Sequence, residues 1–113
     1  DLDHRLAGTF DWRMVYASGT RYEGQPVLLT EYGGIAFAGG IAGAWGNNGT
    51  VANPQEFLER FTAITRAALD HPRIRGICYT QLTDVHQEIN GLLWPDRRPK
   101  VDPARIRAVL GGN

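Results

Sequence analysis

One carboxylate stands where the sequence could position it for catalysis. Residues 26–31 (Pro-Val-Leu-Leu-Thr-Glu) form an apolar run that is too short for a helix and does not alternate, which favours a parallel strand buried on both faces. Glu31 ends this run, and Tyr32 and two glycines break it. A partly desolvated carboxylate on a rigid strand suits a nucleophile or a general acid/base. A solvated acid at the end of a strand is the alternative.

Polar side chains also follow a second apolar run. Residues 74–81 (Ile-Arg-Gly-Ile-Cys-Tyr-Thr-Gln) predict another short buried strand, and a long polar loop comes after it. Gln81 and Asp84, at the start of that loop, could bind the hydroxyl groups of a sugar. Asp84 could equally tie down its own loop, through a turn or by pairing with Arg97 or Arg98.

Aromatic residues in the polar loops are a third group of candidates. The C–H face of a sugar ring packs on an aromatic ring while its hydroxyl groups bind polar neighbours. Each aromatic side chain could instead fill a gap in the hydrophobic core. The candidates for such a platform are Tyr32, Trp45, Tyr79 and Trp94.

Two helices are predicted to follow the two strands. Residues 53–56 (Asn-Pro-Gln-Glu) supply an N-cap, a first-turn proline and a capping-box glutamate, and residues 71–72 (His-Pro) end this helix. Residues 102–103 (Asp-Pro) repeat the start signal, and Gly111 is the expected stop. Residues 35–52 are expected to form a long loop.

The order of these elements predicts an α/β fold with two parallel strands, two main helices and long loops. We expect residues 1–25 to be a loop-rich lead-in with a short extended piece at residues 12–16, and residues 26–70 and 73–111 to form two successive β/α units. Both long loops leave the carboxyl ends of their strands, and ligands bind at that end in α/β folds. Glu31, Gln81 and Asp84 are therefore expected on the same side of the sheet.

Composition narrows the classes of function. The chain has 113 residues, and its 12 basic residues balance its 12 acidic ones, which argues against a dedicated nucleic-acid or anionic-membrane binder. A complete (β/α)8 barrel needs about 250 residues and is excluded for this chain alone. A single cysteine, Cys78 in the second predicted strand, excludes an internal disulfide. The three histidines lack metal-ligand spacing, so no metal is expected, and no cofactor is expected either. No apolar run is long enough to span a membrane, and a soluble, cytoplasmic protein is favoured.

Two stretches together resemble the last quarter of the catalytic domain of glycoside hydrolase family 2, the β-galactosidase, β-glucuronidase and β-mannosidase family. One is residues 24–34 (Gly-Gln-Pro-Val-Leu-Leu-Thr-Glu-Tyr-Gly-Gly); the other runs from Tyr79-Thr-Gln-Leu-Thr-Asp to Asp-Arg-Arg-Pro-Lys100. The resemblance covers residues 22–110. It implies a partial (β/α)8 barrel, its seventh and eighth units, in which Glu31 is the catalytic nucleophile.

The resemblance also implies what this chain lacks. A retaining glycosidase needs two carboxyl groups roughly 5 Å apart. The acid/base of the family belongs to an Asn-Glu pair, which this sequence does not contain, so we expect that residue upstream and the isolated chain to be inactive. Where β-glucuronidases carry a uronate-binding Asn-x-Lys, this chain has Glu88 and Asn90, which disfavours a glucuronide. Another departure is Thr80-Gln81, where many members place Trp.

We therefore expect a fragment of a retaining β-glycosidase that hydrolyses terminal β-linked neutral sugars. Its expected partners are the carbohydrate substrate and the rest of the polypeptide, with no nucleic acid and no membrane. The alternatives are a non-catalytic carbohydrate-binding or structural α/β module, or a glycosidase for a mannoside or uronide. Isolated, the two units would expose strand edges through which the chain could self-associate. The expected substrate-binding residues are Tyr32, Trp45, Gln81, Asp84 and Trp94.

Overall fold

A parallel pair of strands packed on one long helix forms the centre of the molecule. The computed structural model of the chain describes residues 9–10, 13–14, 16–37 and 43–111. In chain order the elements are β1 (Thr9–Phe10), β2 (Arg13–Met14), β3 (Val27–Gly33), β4 (Ala36–Phe37), β5 (Thr50–Val51), α1 (Pro54–Leu69), β6 (Ile74–Thr80) and α2 (Pro103–Val109).

The lead-in contains a small hairpin. β1 and β2 pair antiparallel, with Thr9 opposite Met14 and Phe10 opposite Arg13. A loop-rich lead-in has room for these two short strands, and β2 falls within residues 12–16, where a short extended piece is expected. The other residues before position 16 lie outside the described part of the chain.

Helix α1 begins and ends as its sequence signals predict. Asn53 is the N-cap, and its Oδ1 accepts a hydrogen bond from the backbone N–H of Glu56 at 2.9 Å. Glu56 in turn accepts a hydrogen bond from the backbone N–H of Ala52 at 2.9 Å. The helix runs for 16 residues and is capped at Asp70, just before the His-Pro pair. The first contact satisfies a backbone donor of the first turn, and the second satisfies the donor of the residue before the N-cap.

Helix α2 also starts at its predicted position. The Oδ1 atom of Asp102 accepts a hydrogen bond from the backbone N–H of Ala104 at 2.9 Å. Val109 is buried, and the guanidinium of Arg66 on α1 donates to the carbonyl of Ala108 at 3.1 Å. The two predicted helices are confirmed, and α2 lies against α1.

The predicted parallel strands are also confirmed. β3 pairs with β6 in parallel, with Val27 opposite Ile74 and Tyr32 opposite Tyr79. The described residues therefore form a small α/β domain with parallel strands. The sheet holding this pair contains no third strand among the described residues, so a closed barrel is not formed by them.

Among the described residues, helix α1 covers one face of this two-stranded sheet and leaves the other face open. On the α1 side, the Tyr32 hydroxyl lies 3.0 Å from the Thr65 hydroxyl, and the rings of Phe61 and Tyr79 meet with centroids 5.2 Å apart. On the other side Leu28 is 59% exposed and Cys78 is exposed. The prediction that both strands are buried on both faces is wrong, because one helix can cover only one face.

The segment expected to be a long loop contributes to the core. β4 and β5 pair in parallel, with Phe37 opposite Val51. Ile35, Phe37 and Val51 are buried in the same cluster as Phe57 and Phe61 of α1. The predicted loop over residues 35–52 is therefore wrong in part, because its few apolar residues pair and pack against the helix. Within the described residues, no helix is long and apolar enough to cross a membrane.

Candidate functional site

Glu31 lies at an irregularity in β3, two residues before the end of that strand. Leu29 pairs with Ile77 and Tyr32 pairs with Tyr79, so two residues of β3 oppose the single Cys78 of β6. This β-bulge interrupts the alternation of side chains, and bulges of this kind re-aim side chains next to active sites. The side chain of Tyr32 faces α1, and Glu31 is exposed. The carboxylate is therefore not buried at the rim of the core, as the sequence suggested, but open to solvent.

Glu31 also borders a cleft between β3 and α1. The cleft has a volume of about 510 Å³ and is floored by apolar side chains that include Leu29 and Ile64. Arg60 and Asn48 line the same cleft. A carboxylate, a guanidinium and an amide therefore share one concave surface with an apolar floor, which is the composition of sites that bind polar small molecules.

Tyr32 is directed to the helix rather than to the open face. Its hydroxyl is 3.0 Å from that of Thr65, which is buried, and its ring meets the ring of Tyr79 edge to face at 5.5 Å. Burial raises the pKa of Tyr32, despite the opposing effect of the Thr65 hydrogen bond. These contacts give Tyr32 a role in packing α1 on β3. Tyr32 also lines the cleft that Glu31 borders.

The two long loops join above the carboxyl ends of the strands. The backbone N–H of Gly34 donates to the carbonyl of Thr80 at 3.0 Å, and that of Phe37 donates to Ile89 at 3.2 Å. A Cβ on Gly46 would lie 2.5 Å from both the Cβ of Ala36 and the Oδ1 of Asn90, so only glycine fits there. The loops therefore form one layer with little space between them.

Gln81 is held inside this layer. Its side-chain Nε2 donates to the backbone carbonyl of Glu88 at 3.3 Å. Its backbone carbonyl accepts a hydrogen bond from the backbone N–H of Leu92 at 3.1 Å. The side chain is half-buried, and the Thr80–Gln81 peptide bond is cis. Gln81 thus fixes the course of the second loop, and its predicted role in sugar binding stays a prediction.

Asp84 forms a buried ion pair that the sequence did not predict. Its Oδ1 accepts hydrogen bonds from Lys100 Nζ at 2.7 Å and from the backbone N–H of Gly91 at 2.8 Å. Both side chains of the pair are fully buried. Of the two possibilities open from the sequence, the geometry favours tying down the loop, but the partner is Lys100 rather than Arg97 or Arg98. A buried carboxylate is not open to a ligand at the surface.

Lys100 is also held by the second loop and by aromatic rings. Its ammonium donates to the carbonyl of Ile89 at 2.9 Å and lies 4.8 Å from the ring centre of Trp94. Burial lowers the pKa of Lys100, while the Asp84 carboxylate opposes that shift. In the sequence, Lys100 is a lysine between two loop residues, Pro99 and Val101. Its spacing from Asp84 therefore gives no sign that the two side chains form an ion pair.

The two loop tryptophans have different surroundings. Trp94 packs against the core and meets the ring of Phe37 at 5.4 Å. This is the gap-filling alternative to a sugar platform. Trp45 is 49% exposed, while its backbone N–H donates to Gln87 at 2.9 Å. Of the two, Trp45 alone presents a large aromatic surface to solvent.

The residues that the sequence predicts for the site therefore differ in exposure. Glu31 and Trp45 are exposed, whereas Tyr32, Asp84 and Trp94 have their side chains engaged in the fold. Across the described ranges, no group of three or more His, Cys, Asp or Glu side chains could hold a metal ion. No protein-family model matches the sequence, and no curated protein matches it.

Proposed function

We propose that this chain is the carboxyl-terminal part of the catalytic domain of a retaining β-glycosidase of glycoside hydrolase family 2. In this proposal it supplies the seventh and eighth β/α units of a (β/α)8 barrel, and Glu31 is the nucleophile. The sequence resemblance over residues 22–110 is its starting point. The parallel β3 and β6, each followed by a helix, are compatible with two such units.

The observation that carries the proposal is the position of Glu31. It lies near the carboxyl end of a parallel strand, at a bulge, and its side chain is exposed. Ligands bind at that end of the strands in α/β barrels. The uncovered face of the β3–β6 pair is where further strands would have to pack in a barrel, and it carries the exposed Leu28 and Cys78.

Double displacement requires a second carboxyl group. The nucleophile attacks the anomeric carbon and forms a glycosyl-enzyme, and the other group protonates the leaving oxygen and then activates water. Asp84, near the end of β6, is held by Lys100 and is buried, so it is a poor candidate for that second group. The family resemblance places the acid/base in the other units, so we expect the isolated chain not to hydrolyse glycosides.

The surroundings of the loops support a neutral sugar as the substrate. Lys100, the lysine of the second loop, is fully buried against Asp84 and is not available to pair with a uronate. Glu88 and Asn90 occupy the positions of the uronate-binding motif, and Asn90 Nδ2 donates to Glu88 Oε1 at 3.1 Å. An acidic side chain in that place disfavours a carboxylated sugar by charge repulsion.

Covalent trapping tests the proposal on a polypeptide that includes all the barrel units. A 2-deoxy-2-fluoro β-glycoside with a good leaving group should label Glu31, because the fluorine slows hydrolysis of the glycosyl-enzyme. Peptide mass spectrometry locates the label. Glu31→Gln should abolish labelling, and Glu59→Gln, at an exposed position on α1, should not. A label on any other residue would refute the assignment of Glu31.

Exposure of Trp45 favours a second candidate, a carbohydrate-binding module without catalysis. Its indole is half exposed on a backbone held by hydrogen bonds. Such a module should bind sugar as the 113-residue chain, without further units, and should retain that binding after Glu31→Gln. Titration of the chain with neutral oligosaccharides distinguishes this candidate from the nucleophile proposal.

A further inference from the structure

The sequence contains two Asn-Gly pairs, and the structure gives them opposite environments. Asn48 and Gly49 are both exposed, whereas Asn90 and Gly91 are both buried. Asparagine is a chemically labile residue, and a glycine after it leaves the amide open to attack because glycine has no Cβ beside its backbone nitrogen. The two pairs are therefore alike in sequence but differ in their access to solvent.

In the exposed pair, the backbone nitrogen that could attack the amide is not held. Within the described residues, the N–H of Gly49 donates no hydrogen bond. Apart from its chain neighbours, a Cβ built on Gly49 would meet nothing closer than Nη1 of Arg60, at 3.5 Å. The positive charge of this guanidinium favours an anionic form of the nitrogen beside it. Solvent, space and a nearby cation thus all favour reaction of Asn48 with Gly49.

The buried pair is held on both sides. The backbone N–H of Gly91 donates to Asp84 Oδ1 at 2.8 Å, and Asn90 Nδ2 donates to Glu88 Oε1 at 3.1 Å. A Cβ on Gly91 would lie 2.5 Å from the backbone nitrogen of Asp84, so this segment has no space in which to rearrange. Groups that are buried and hydrogen-bonded react only when the structure opens locally.

We propose that Asn48 is a site of spontaneous deamidation in the folded chain and that Asn90 is protected from it. The backbone nitrogen of Gly49 attacks Cγ of Asn48, a C–N bond closes a succinimide ring, and the amide nitrogen leaves as ammonia with the proton that the Gly49 nitrogen has lost. Water then opens the ring at one of its two carbonyl groups, which gives aspartate or isoaspartate at position 48. Nothing is oxidised or reduced. The inference does not depend on a glycosidase activity.

Deamidation would alter the turn that follows β3, because Asn48 holds that turn. Its Nδ2 donates to the carbonyl of Gly33 at 2.5 Å, and its backbone N–H donates to the carbonyl of Gly34 at 2.9 Å. A carboxylate only accepts hydrogen bonds, so the Gly33 carbonyl would lose its side-chain donor. Isoaspartate also adds a methylene to the main chain just before the Gly49 carbonyl, which accepts from the Ala36 N–H at 2.9 Å. The product should therefore hold β5 less firmly against β4 and the end of β3.

Peptide mass spectrometry of the aged 113-residue chain tests the proposal. Trypsin separates the two pairs into different peptides, residues 22–60 and 76–97. The chain is incubated at mildly alkaline pH, either folded or in guanidinium chloride, and the mass gain from amide to acid is followed in each peptide. In the folded chain Asn48 should react at least about tenfold faster than Asn90, because Asn90 reacts only after local opening. In guanidinium chloride the two rates should be similar, which would assign the difference to the fold.

Asn48→Gln is the matched control variant. Its side chain keeps an amide but would have to close a larger ring, so the mass gain in residues 22–60 should disappear. Asn53, in the same peptide, cannot react in this way because the nitrogen of Pro54 carries no proton.

Three outcomes would overturn the proposal. A mass gain that persists in Asn48→Gln would assign the reaction to another residue. Equal rates at Asn48 and Asn90 in the folded chain would show that the fold does not protect Asn90. An unchanged Asn48 in the folded chain, under conditions in which the unfolded chain reacts, would show that the turn protects Asn48 instead.

Discussion

Glu31 and Asp84 are both carboxylates near the carboxyl end of a parallel strand, but their environments are opposite. Glu31 lies at a bulge on β3 and is exposed. Asp84 follows β6 and is enclosed with Lys100, so that both side chains have no exposed surface. Carboxylates near equivalent ends of two parallel strands therefore have opposite exposures.

The difference shows what burial does to a candidate functional residue. The Asp84 carboxylate takes part in joining the beginning of the second loop to its end, through Gly91 and Lys100. Its other oxygen, Oδ2, is buried and has no partner within the described structure. A carboxylate in this state stabilises one loop conformation and has no surface left for a ligand. The Glu31 carboxylate has no such constraint.

The largest expected effect is the loss of activity on removing the Glu31 carboxylate. In the polypeptide with all barrel units, Glu31→Ala should lower kcat for an aryl β-glycoside by roughly a thousandfold or more, as expected when a nucleophile is removed. Added azide should restore turnover in this variant, because a small anion can enter the space that the carboxylate leaves. Steady-state kinetics with and without azide measure both changes.

Asp84→Asn is the matched comparison for the chemical role of Glu31. It removes a charge near the other strand end but keeps a side chain of the same size. We expect azide to have no effect on its activity, because Asp84 does not contact the sugar in this proposal. Azide rescue of Asp84→Asn, and none of Glu31→Ala, would reverse the assignment.

The next largest effect concerns stability. Lys100→Met leaves the Asp84 carboxylate buried without its cation, which should lower the free energy of unfolding by about 3–5 kcal/mol. Urea unfolding followed by tryptophan fluorescence measures the change, because Trp94 lies beside the ammonium. Arg98→Met, which breaks an exposed ion pair with Asp96, should leave the urea concentration at the midpoint of unfolding almost unchanged.

A double variant shows whether the buried charge itself is responsible. Asp84→Asn combined with Lys100→Met has no ion left in the loop, so it should be more stable than Lys100→Met alone. If the double variant is less stable than Lys100→Met, the effect comes from packing rather than from an unpaired charge.

The smallest expected effect distinguishes Tyr32 from Glu31 beside it. Tyr32→Phe removes the hydrogen bond to Thr65 and should lower the free energy of unfolding by about 1 kcal/mol. It should leave KM for the glycoside unchanged, because the hydroxyl is directed to α1. Urea unfolding and steady-state kinetics test both parts. A rise in KM with unchanged stability would instead support the predicted role of Tyr32 in substrate binding.

The helices could be predicted because their signals are local. Asn53 and Asp102 each satisfy a backbone N–H within the next three residues, so the interaction can be found by reading a short stretch of sequence. The position of the two main strands was predictable for the same reason. β3 nevertheless continues to Gly33, beyond the glutamate where the apolar run ends, because pairing with β6 holds Tyr32 and Gly33 in the strand.

Burial and pairing between distant residues could not be predicted. A run of apolar residues does not reveal how many layers will cover it, and Leu28 is exposed because a helix covers only the other face. Asp84 and Lys100 are 16 residues apart in the sequence, and two arginines closer to Asp84 were equally suitable partners until the loop path was known. For the candidate site, the sequence could not separate Trp45, which is exposed, from Trp94, which packs against the core.

Because of the bulge in β3, the number of residues between Leu29 and Tyr32 determines which side chains face α1. With two residues there, Leu29 and Tyr32 both face α1 while Thr30 and Glu31 oppose Cys78. With one residue fewer in this segment, β3 would pair regularly with β6. Strict alternation would then place a single side chain between Leu29 and Tyr32, pointing away from α1. Deleting Thr30 would keep the glutamate in the sequence but make it the single residue opposite Cys78. The length of this segment, as well as its composition, therefore sets where the carboxylate lies.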